Sequence, residues 1–160
     1  MKNNTLLLIC LALALLLAAC SSGASSYTTV DTAAAAEALK AAEFDGEKTF
    51  ESFNLASADY VDDVLAIDTE RLASYSVLIP AEDDDCCMAL LLIPLEGEYD
   101  TVKNQLTNSM SNYQKRWDNY LPEKAYLVSG RMETEIGDCL VCLISPDNDA
   151  ALDAVRSAAS

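Results

Sequence analysis

A stripe of large apolar side chains between residues 99 and 120 is the longest regular pattern in the chain. Its members recur at spacings of three and four residues: Tyr99, Val102, Leu106, Met110, Tyr113, Trp117 and Tyr120. Polar residues fill the opposite positions, so the pattern predicts an amphipathic helix of about six turns that ends before Pro122. A stripe at helical spacing is usually core, although its aromatic members could instead line a ligand groove.

Two apolar segments before this helix predict a β-hairpin. Residues 73–79 alternate and then become apolar before Pro80 ends the segment. Residues 86–95 are almost continuously apolar, which predicts a central strand covered on both faces. The acidic residues 82–85 form the turn between the two strands.

The rest of the chain supplies two more strands and three more helices. Residues 125–132 are predicted as the third strand and residues 139–145 as the fourth, with residues 133–138 turning between them. Ser145 and Pro146 open a last helix. Two N-terminal helices are predicted at residues 32–43, capped by Asp31, and at residues 58–67, capped by Ser57.

From residue 73 onward the order is therefore strand, strand, helix, strand, strand, helix. This order, after the N-terminal helices, predicts an α+β fold. We expect a largely antiparallel four-stranded sheet with helices on one face.

The N-terminus carries a different pattern. Only Lys2 is charged before an uninterrupted apolar run at residues 6–19, which is too short to span a bilayer comfortably and fits a signal peptide. The run ends in Leu17-Ala18-Ala19-Cys20, which closely resembles the lipobox of bacterial lipoprotein precursors. The resemblance implies that a diacylglyceryl group, with fatty acyl chains such as palmitate, is attached to the Cys20 thiol. Cys20 then becomes the first residue of the mature protein.

These features divide the chain into three parts. Residues 1–19 are predicted to be a lipoprotein signal peptide, residues 20–29 the lipidated cysteine with a flexible Ser-rich tether, and residues 30–160 a single α+β domain. The predicted location is the extracytoplasmic face of the cell membrane, with the lipid on Cys20 as the membrane contact.

The charge balance and the absence of histidine exclude several classes of function. The chain has 10 basic and 26 acidic residues, no histidine and a net charge of −16. A nucleic-acid partner is not expected, because phosphate binding needs a basic face. Histidine-based triads, bases and metal ligands are excluded. No phosphate loop or serine nucleophile motif occurs, and only Glu135 has an apolar context, so we expect neither an enzyme nor a cofactor.

Four cysteines follow the predicted tether: Cys86, Cys87, Cys139 and Cys142. They could be buried apolar thiols, or one of Cys86 and Cys87 could form a disulfide with one of Cys139 and Cys142. Such a bond requires adjacent strands with Cα atoms within ~7 Å. A zinc or redox site is disfavoured, because residues one or three apart on a strand point to opposite faces.

The acidic turn at residues 82–85 has two interpretations. Its carboxylates, Asp83 and Asp85 in particular, could bind calcium outside the cell, since hard cations favour such oxygens. The turn lacks the spaced ligands and the glycine of a recognised calcium loop. A solvated hairpin tip is therefore the preferred interpretation.

The mature chain also resembles a family of small lipoproteins from Gram-positive bacteria that is known only as a domain of unknown function. The matching landmarks include Asp68-Thr69-Glu70, Leu121-Pro122, Tyr126-Leu127-Val128 and Gly137-Asp138. The resemblance covers roughly residues 30–158 and implies the lipoprotein location, but no activity and no site residues.

Together these features predict a membrane-anchored, non-enzymatic module that binds an envelope protein, a peptide or another envelope component. The alternative is a small-ligand or cation-binding lipoprotein that serves a transporter or sensor. A deep pocket lined by Tyr113, Trp117 and Tyr120 would favour the alternative, whereas a sealed apolar contact would favour the module.

Overall fold

The computed structural model describes residues 28–44 and 46–159. The described residues contain one antiparallel sheet of five strands: β1 (Asn54–Leu55), β2 (Leu72–Ile79), β3 (Met88–Pro94), β4 (Met132–Ile136) and β5 (Cys139–Ile144). Their spatial order is β1-β2-β3-β5-β4. The predicted α+β class and antiparallel sheet are confirmed, whereas the predicted number of four strands is wrong.

Helices cover both faces of this sheet. On one face lie α1 (Thr32–Ala41) and α4 (Asn148–Arg156), and on the other lie α2 (Tyr99–Tyr120) and α3 (Ala125–Ser129). All six residues of β5 are buried, as expected for a strand that is covered on both sides. Residues 88–92 of β3 are likewise buried and are divided between the apolar clusters on the two faces, so the predicted two-sided cover of β3 is confirmed. The prediction that helices occupy one face is wrong.

The long amphipathic helix is confirmed as α2. Its stripe buries Val102, Leu106, Met110, Tyr113 and Trp117 against the sheet. The same apolar cluster contains Leu90 and Leu92 of β3. The predicted hairpin is also present, because β2 and β3 pair antiparallel over most of their length.

The prediction of a strand at residues 125–132 is wrong for most of that segment. Residues Ala125–Ser129 form the short helix α3, in which Ala125 and Val128 are buried while Tyr126 is 68% exposed. A strand would place Tyr126 and Val128 on the same face, whereas burial at a spacing of three fits a helical turn.

The turn predicted at residues 133–138 is instead mostly strand. Residues Met132–Ile136 form β4 and alternate between half-buried and exposed positions. Glu133 and Glu135 occupy its exposed positions, and charged side chains are common on strands at the edge of a sheet. The other edge strand, β1, has only two residues, which is too short to produce a recognisable sequence pattern.

The short helix predicted at residues 58–67 is a π-helical turn, Tyr60–Val64. The predicted cap is confirmed, since the Ser57 hydroxyl accepts a hydrogen bond from the Tyr60 N–H at 3.2 Å. Val61 and Leu65 join the apolar cluster beneath α2, and this packing fixes the turn beside that helix.

The first described residues lie at one end of the sheet. Thr28 packs so closely on the β4–β5 turn that a Cβ at Gly137 would overlap the Thr28 carbonyl group. Gly137 also has a φ of 59°, which favours glycine. We call this side of the molecule the Thr28 end; the acidic residues 82–85, before β3, lie at the opposite end.

Candidate functional site

An open cleft of ≈150 Å³ lies at the end of the sheet opposite the Thr28 end. Four kinds of side chain line it: the carboxylates of Glu82, Asp83 and Asp85, the guanidinium of Arg116, the rings of Tyr60, Tyr113 and Trp117, and the aliphatic groups of Ile79 and Pro80. The π-helical turn, the loop between β2 and β3, and the C-terminal half of α2 position these groups. The lining thus combines both charge signs with aromatic surface.

A second cleft of ≈130 Å³ adjoins the first and shares Tyr60, Tyr113 and Arg116 with it. Val64 and Leu65 contribute apolar surface there, and helix α2 adds polar side chains from Ser109 and Asn112. We call the two together the paired cleft. Carboxylates line only the first half, whereas Arg116 lines both halves.

The aromatic residues of α2 form a stacked row beside the first cleft. The rings of Tyr113 and Trp117 lie 6.0 Å apart, and those of Trp117 and Tyr120 lie 5.9 Å apart, both in edge-to-face geometry. Tyr113 and Trp117 are buried, whereas Tyr120 is 58% exposed and does not line the cleft. The stripe is therefore mainly core, and the deep pocket that the alternative prediction required is replaced by an open cleft.

The polar atoms of this row are incompletely paired. The Tyr113 hydroxyl donates to the Cys86 carbonyl at 3.3 Å, and burial raises the pKa of Tyr113. The nearby indole N–H of Trp117 partly offsets this rise in the pKa of Tyr113, although the two groups do not meet the geometry of a hydrogen bond. Trp117 Nε1 is thus left without a partner among the described residues, although the side chain is only 3% exposed.

Arg116 differs from the other three arginines of the described residues, each of which forms an ion pair. Seven ion pairs form among the described residues, and none of them includes Arg116. It lines the cleft together with Tyr60: burial raises the pKa of Tyr60, and the charge of Arg116 opposes that rise. In a chain of net charge −16, an arginine without an ion pair is unusual, and this one faces both halves of the paired cleft.

The predicted calcium candidates, Asp83 and Asp85, both line the first cleft. Asp85 accepts a hydrogen bond from the Cys87 N–H at 2.8 Å, and Asp84 forms an ion pair with Lys124 at 3.5 Å. Within residues 28–44 and 46–159, no group of three or more acidic or cysteine side chains is arranged to hold a metal ion.

The predicted cross-strand disulfide is not formed, because all four cysteines are free and buried thiols. Strands β3 and β5 are adjacent, but their register places Cys142 opposite Leu90. Cys86 and Cys87 precede the strand, at least three residues away from that position, or roughly 10 Å at ~3.3 Å per residue. This separation exceeds the Cα spacing that a disulfide allows.

Cys139 and Cys142 are also poorly suited to reaction as thiolates. Burial raises the pKa of Cys139 to about 12, and it raises the pKa of Cys142 as well. The adjacent Cys86 thiol raises the pKa of Cys87, whereas contact with Cys87 lowers the pKa of Cys86. Cys139 therefore remains a neutral thiol at physiological pH.

Glu135 lies at a third cavity of ≈220 Å³, formed between α2 and the edge strand β4. A hydrogen bond with Tyr99 and an ion pair with Lys103 at 2.9 Å lower the pKa of Glu135. An acid catalyst needs the opposite shift, since it must stay protonated near neutral pH. The only carboxylate with an apolar sequence context is thus held in its charged form.

Cys20 and the predicted signal peptide lie outside the described residues. Among the described helices, none is long and apolar enough to cross a membrane. No family model, curated protein or solved structure matches the chain. The paired cleft is therefore interpreted from its own geometry and charge.

Proposed function

We propose that the chain is an extracytoplasmic lipoprotein, anchored in the cell membrane through lipid on Cys20, and that it is a non-enzymatic binding module. In this proposal residues 1–19 are removed and residues 20–29 tether the domain. Membership of the family of Gram-positive lipoproteins is part of the same proposal. The paired cleft is the surface through which the module recognises its partner.

The observation that carries this proposal is the position of the cleft relative to the Thr28 end, where the described chain begins. Residue 28 packs on Gly137, next to the start of β5, whereas the cleft lies beside residues 82–85 at the start of β3. Strands β3 and β5 are antiparallel, so these two points lie at opposite ends of the sheet. Seven residues of β3 span roughly 23 Å at ~3.3 Å per residue. An anchored domain can therefore hold its cleft away from the lipid surface.

The chemistry of the cleft supports binding. Tyrosine, tryptophan and arginine are the residues most enriched where a few side chains dominate the free energy of recognition. Here Trp117 and Tyr113 are fixed by burial, while Arg116 is exposed beside them. Fixed aromatic side chains next to a free cation lose little conformational entropy when a ligand binds.

A second candidate function is a small-ligand lipoprotein that serves a transporter or sensor. The observation in its favour is that two adjoining clefts share the same arginine and the same two tyrosines. An envelope protein or peptide, by contrast, would use the exposed rim around Tyr120 as well.

The proposal is tested by labelling intact cells with a membrane-impermeant maleimide. Asp83→Cys introduces an exposed thiol at the cleft, while the four native cysteines of the domain are buried. We expect Asp83→Cys to react before lysis and to fractionate with membranes. The added change Cys20→Ala should remove the membrane retention. Reaction only after lysis would contradict the proposed location.

A further inference from the structure

We infer that the outer edge of β4 binds an extended peptide segment as an additional strand of the sheet, and that basic and apolar residues alternate in this segment. The site is separate from the paired cleft, so it adds a second interaction surface to the proposed binding function. Two features that strand addition uses lie side by side here. One is an open strand edge, and the other is a groove between that strand and a helix.

The main-chain groups of Glu133 and Glu135 point away from the sheet. β4 is the last strand in the spatial order, and β5 is its only strand partner among the described residues. A two-residue turn joins the two strands, so Ile136 and Cys139 beside it exchange main-chain hydrogen bonds. Every second residue back from Ile136 therefore bonds to β5. The two glutamates between them present two N–H donors and two C=O acceptors to the open side.

The groove beside this edge favours basic side chains on one face of the added strand. It measures ≈220 Å³, and Leu106 of α2 and Leu140 of β5 contribute apolar surface to it. Glu133 and Glu135 line its β4 side. The methylene groups of a lysine or arginine can cover such apolar surface while the charged end reaches a carboxylate. Lys103, which lines the same groove, already places its ammonium group 2.9 Å from Glu135.

The two glutamates retain capacity for a cationic partner. Each has one internal ion pair, Glu133 with Arg131 at 2.6 Å and Glu135 with Lys103. An ionised carboxylate has about four acceptor positions, so each can also accept a hydrogen bond from a lysine or arginine of a partner. Opposite charges at directly paired positions of neighbouring strands are stabilising.

Charge also argues against a second copy of this chain as the occupant. Pairing of two β4 edges would bring glutamate next to glutamate, and like charges at such positions are destabilising. The two molecules would each carry a net charge of −16. The acidic edge thus disfavours self-association and favours a basic strand from a different protein.

The opposite face of β4 specifies the alternate positions of the added strand. Met132 and Ile136 pack on the apolar cluster beneath α1 and α4, but both remain half-buried. Valine or isoleucine beside them would cover their remaining apolar surface, and β-branched residues suit a strand. β4 has five residues, so the matching segment is about five residues long, with basic and β-branched residues in alternation.

The test uses the full chain, purified from membranes in a neutral detergent, and short peptides with blocked ends. Lys-Val-Lys-Val-Lys is the matching probe, and Glu-Val-Glu-Val-Glu is its charge-reversed control. Two further versions of the basic peptide carry N-methyl groups, one on its lysines and one on its valines. Only one of these two sets of N–H groups can face β4, because alternate residues of a strand point to opposite sides.

Calorimetry measures the affinities, and hydrogen exchange measures the protection of the Glu133 and Glu135 amides. We expect saturable binding of the basic peptide, at least about tenfold tighter than that of the acidic one. One N-methylated version should bind at least about tenfold more weakly than the other. Hydrogen exchange at the two glutamate amides should slow when the basic peptide is bound.

A matched pair of double variants separates local from overall charge. Glu133→Gln/Glu135→Gln changes the edge, whereas Glu37→Gln/Glu43→Gln makes the same change in net charge at exposed positions outside β4. We expect the first to weaken binding of the basic peptide by at least about fivefold and the second by less than about twofold. Circular dichroism checks that both fold, and the peptide series on the unmodified chain does not depend on them.

The inference is overturned if the basic peptide gives no saturable binding up to about 1 mM, or if the acidic peptide binds equally well. Equal binding of the two N-methylated versions would show that no strand is added. Equal losses in the two double variants would show that only the overall charge attracts the peptide, and would overturn the inference as well. None of these results bears on lipidation or on the cell-surface location, which the maleimide experiment decides separately.

Discussion

Trp117 shows how one residue contributes to both the core and the cleft. Its ring stacks between Tyr113 and Tyr120, and its side chain is almost fully buried against the sheet-facing cluster. We predict that Trp117→Ala lowers the free energy of unfolding by ~3–5 kcal/mol, because it leaves a large cavity. Trp117→Phe, which keeps an aromatic ring and deletes the unpaired N–H, should cost much less. Urea denaturation measures both variants, and a loss well below ~1 kcal/mol for Trp117→Ala would contradict the packing described.

The buried thiol of Cys139 should make the free energy of unfolding depend on pH. Burial raises the pKa of this thiol to about 12, from ~8.5 in an unfolded chain. The folded state therefore holds the proton over a range in which the unfolded state releases it. The resulting stability is complete below pH ~8.5 and is lost as the pH rises from there toward 12.

We therefore predict that Cys139→Ala flattens the fall of unfolding free energy with pH between about 8.5 and 10.5. The change in slope should not exceed about 1.4 kcal/mol per pH unit, the limit for one titrating group. Urea midpoints of the parent and the variant at several pH values measure it. Identical slopes would show that the Cys139 thiol is not protected by burial.

Among the secondary-structure elements, α3 gives the sharpest contrast between a helix and a strand. Val128 is buried and Tyr126 is 68% exposed, although a strand would place both on one face. We predict that Val128→Ala costs on the order of 2 kcal/mol, whereas Tyr126→Ala changes stability by less than ~0.5 kcal/mol. Thermal and urea unfolding of the two variants test this, and equal losses would favour a strand.

The elements that could be predicted from sequence are the long or strongly apolar ones. Helix α2 was predictable because its stripe repeats over 22 residues, and β3 because it is almost continuously apolar. Helix α3 has only five residues and no apolar stripe, and the glutamates of β4 led to the prediction of a turn. The continuous apolar runs of β3 and β5 already required cover on both faces, and that requirement conflicts with helices on one side only.

The paired cleft was predictable only in part. The aromatic stripe indicated a possible groove at Tyr113 and Trp117, and the acidic turn indicated Asp83 and Asp85. Arg116 carried no such signal, because an arginine beside the apolar stripe of a helix usually faces solvent. Its lack of an ion pair, and its position on the same cleft as the π-helical turn, depend on the tertiary structure.

At the scale of the whole molecule, charge is the dominant property. A net charge of −16 makes the folded chain repel itself, and added salt screens exposed charges over a Debye length of ~8 Å at physiological strength. We predict that the domain, expressed from residue 27, gains thermal stability with sodium chloride. Calcium chloride at matched ionic strength should add nothing, since residues 82–85 are interpreted as a solvated loop. A calcium-specific gain that disappears in Asp83→Asn/Asp85→Asn would contradict this interpretation.

The central claim is that the domain is held at the membrane by lipid on Cys20, with its cleft at the far end of the sheet. Two acyl chains suffice for stable anchoring, whereas one gives only marginal membrane binding. Mass spectrometry of the mature N-terminal peptide, purified from membranes, tests this claim most directly. The account predicts a peptide that begins at Cys20 and carries the mass of a diacylglyceryl group. An unmodified N-terminus at any other residue would contradict it.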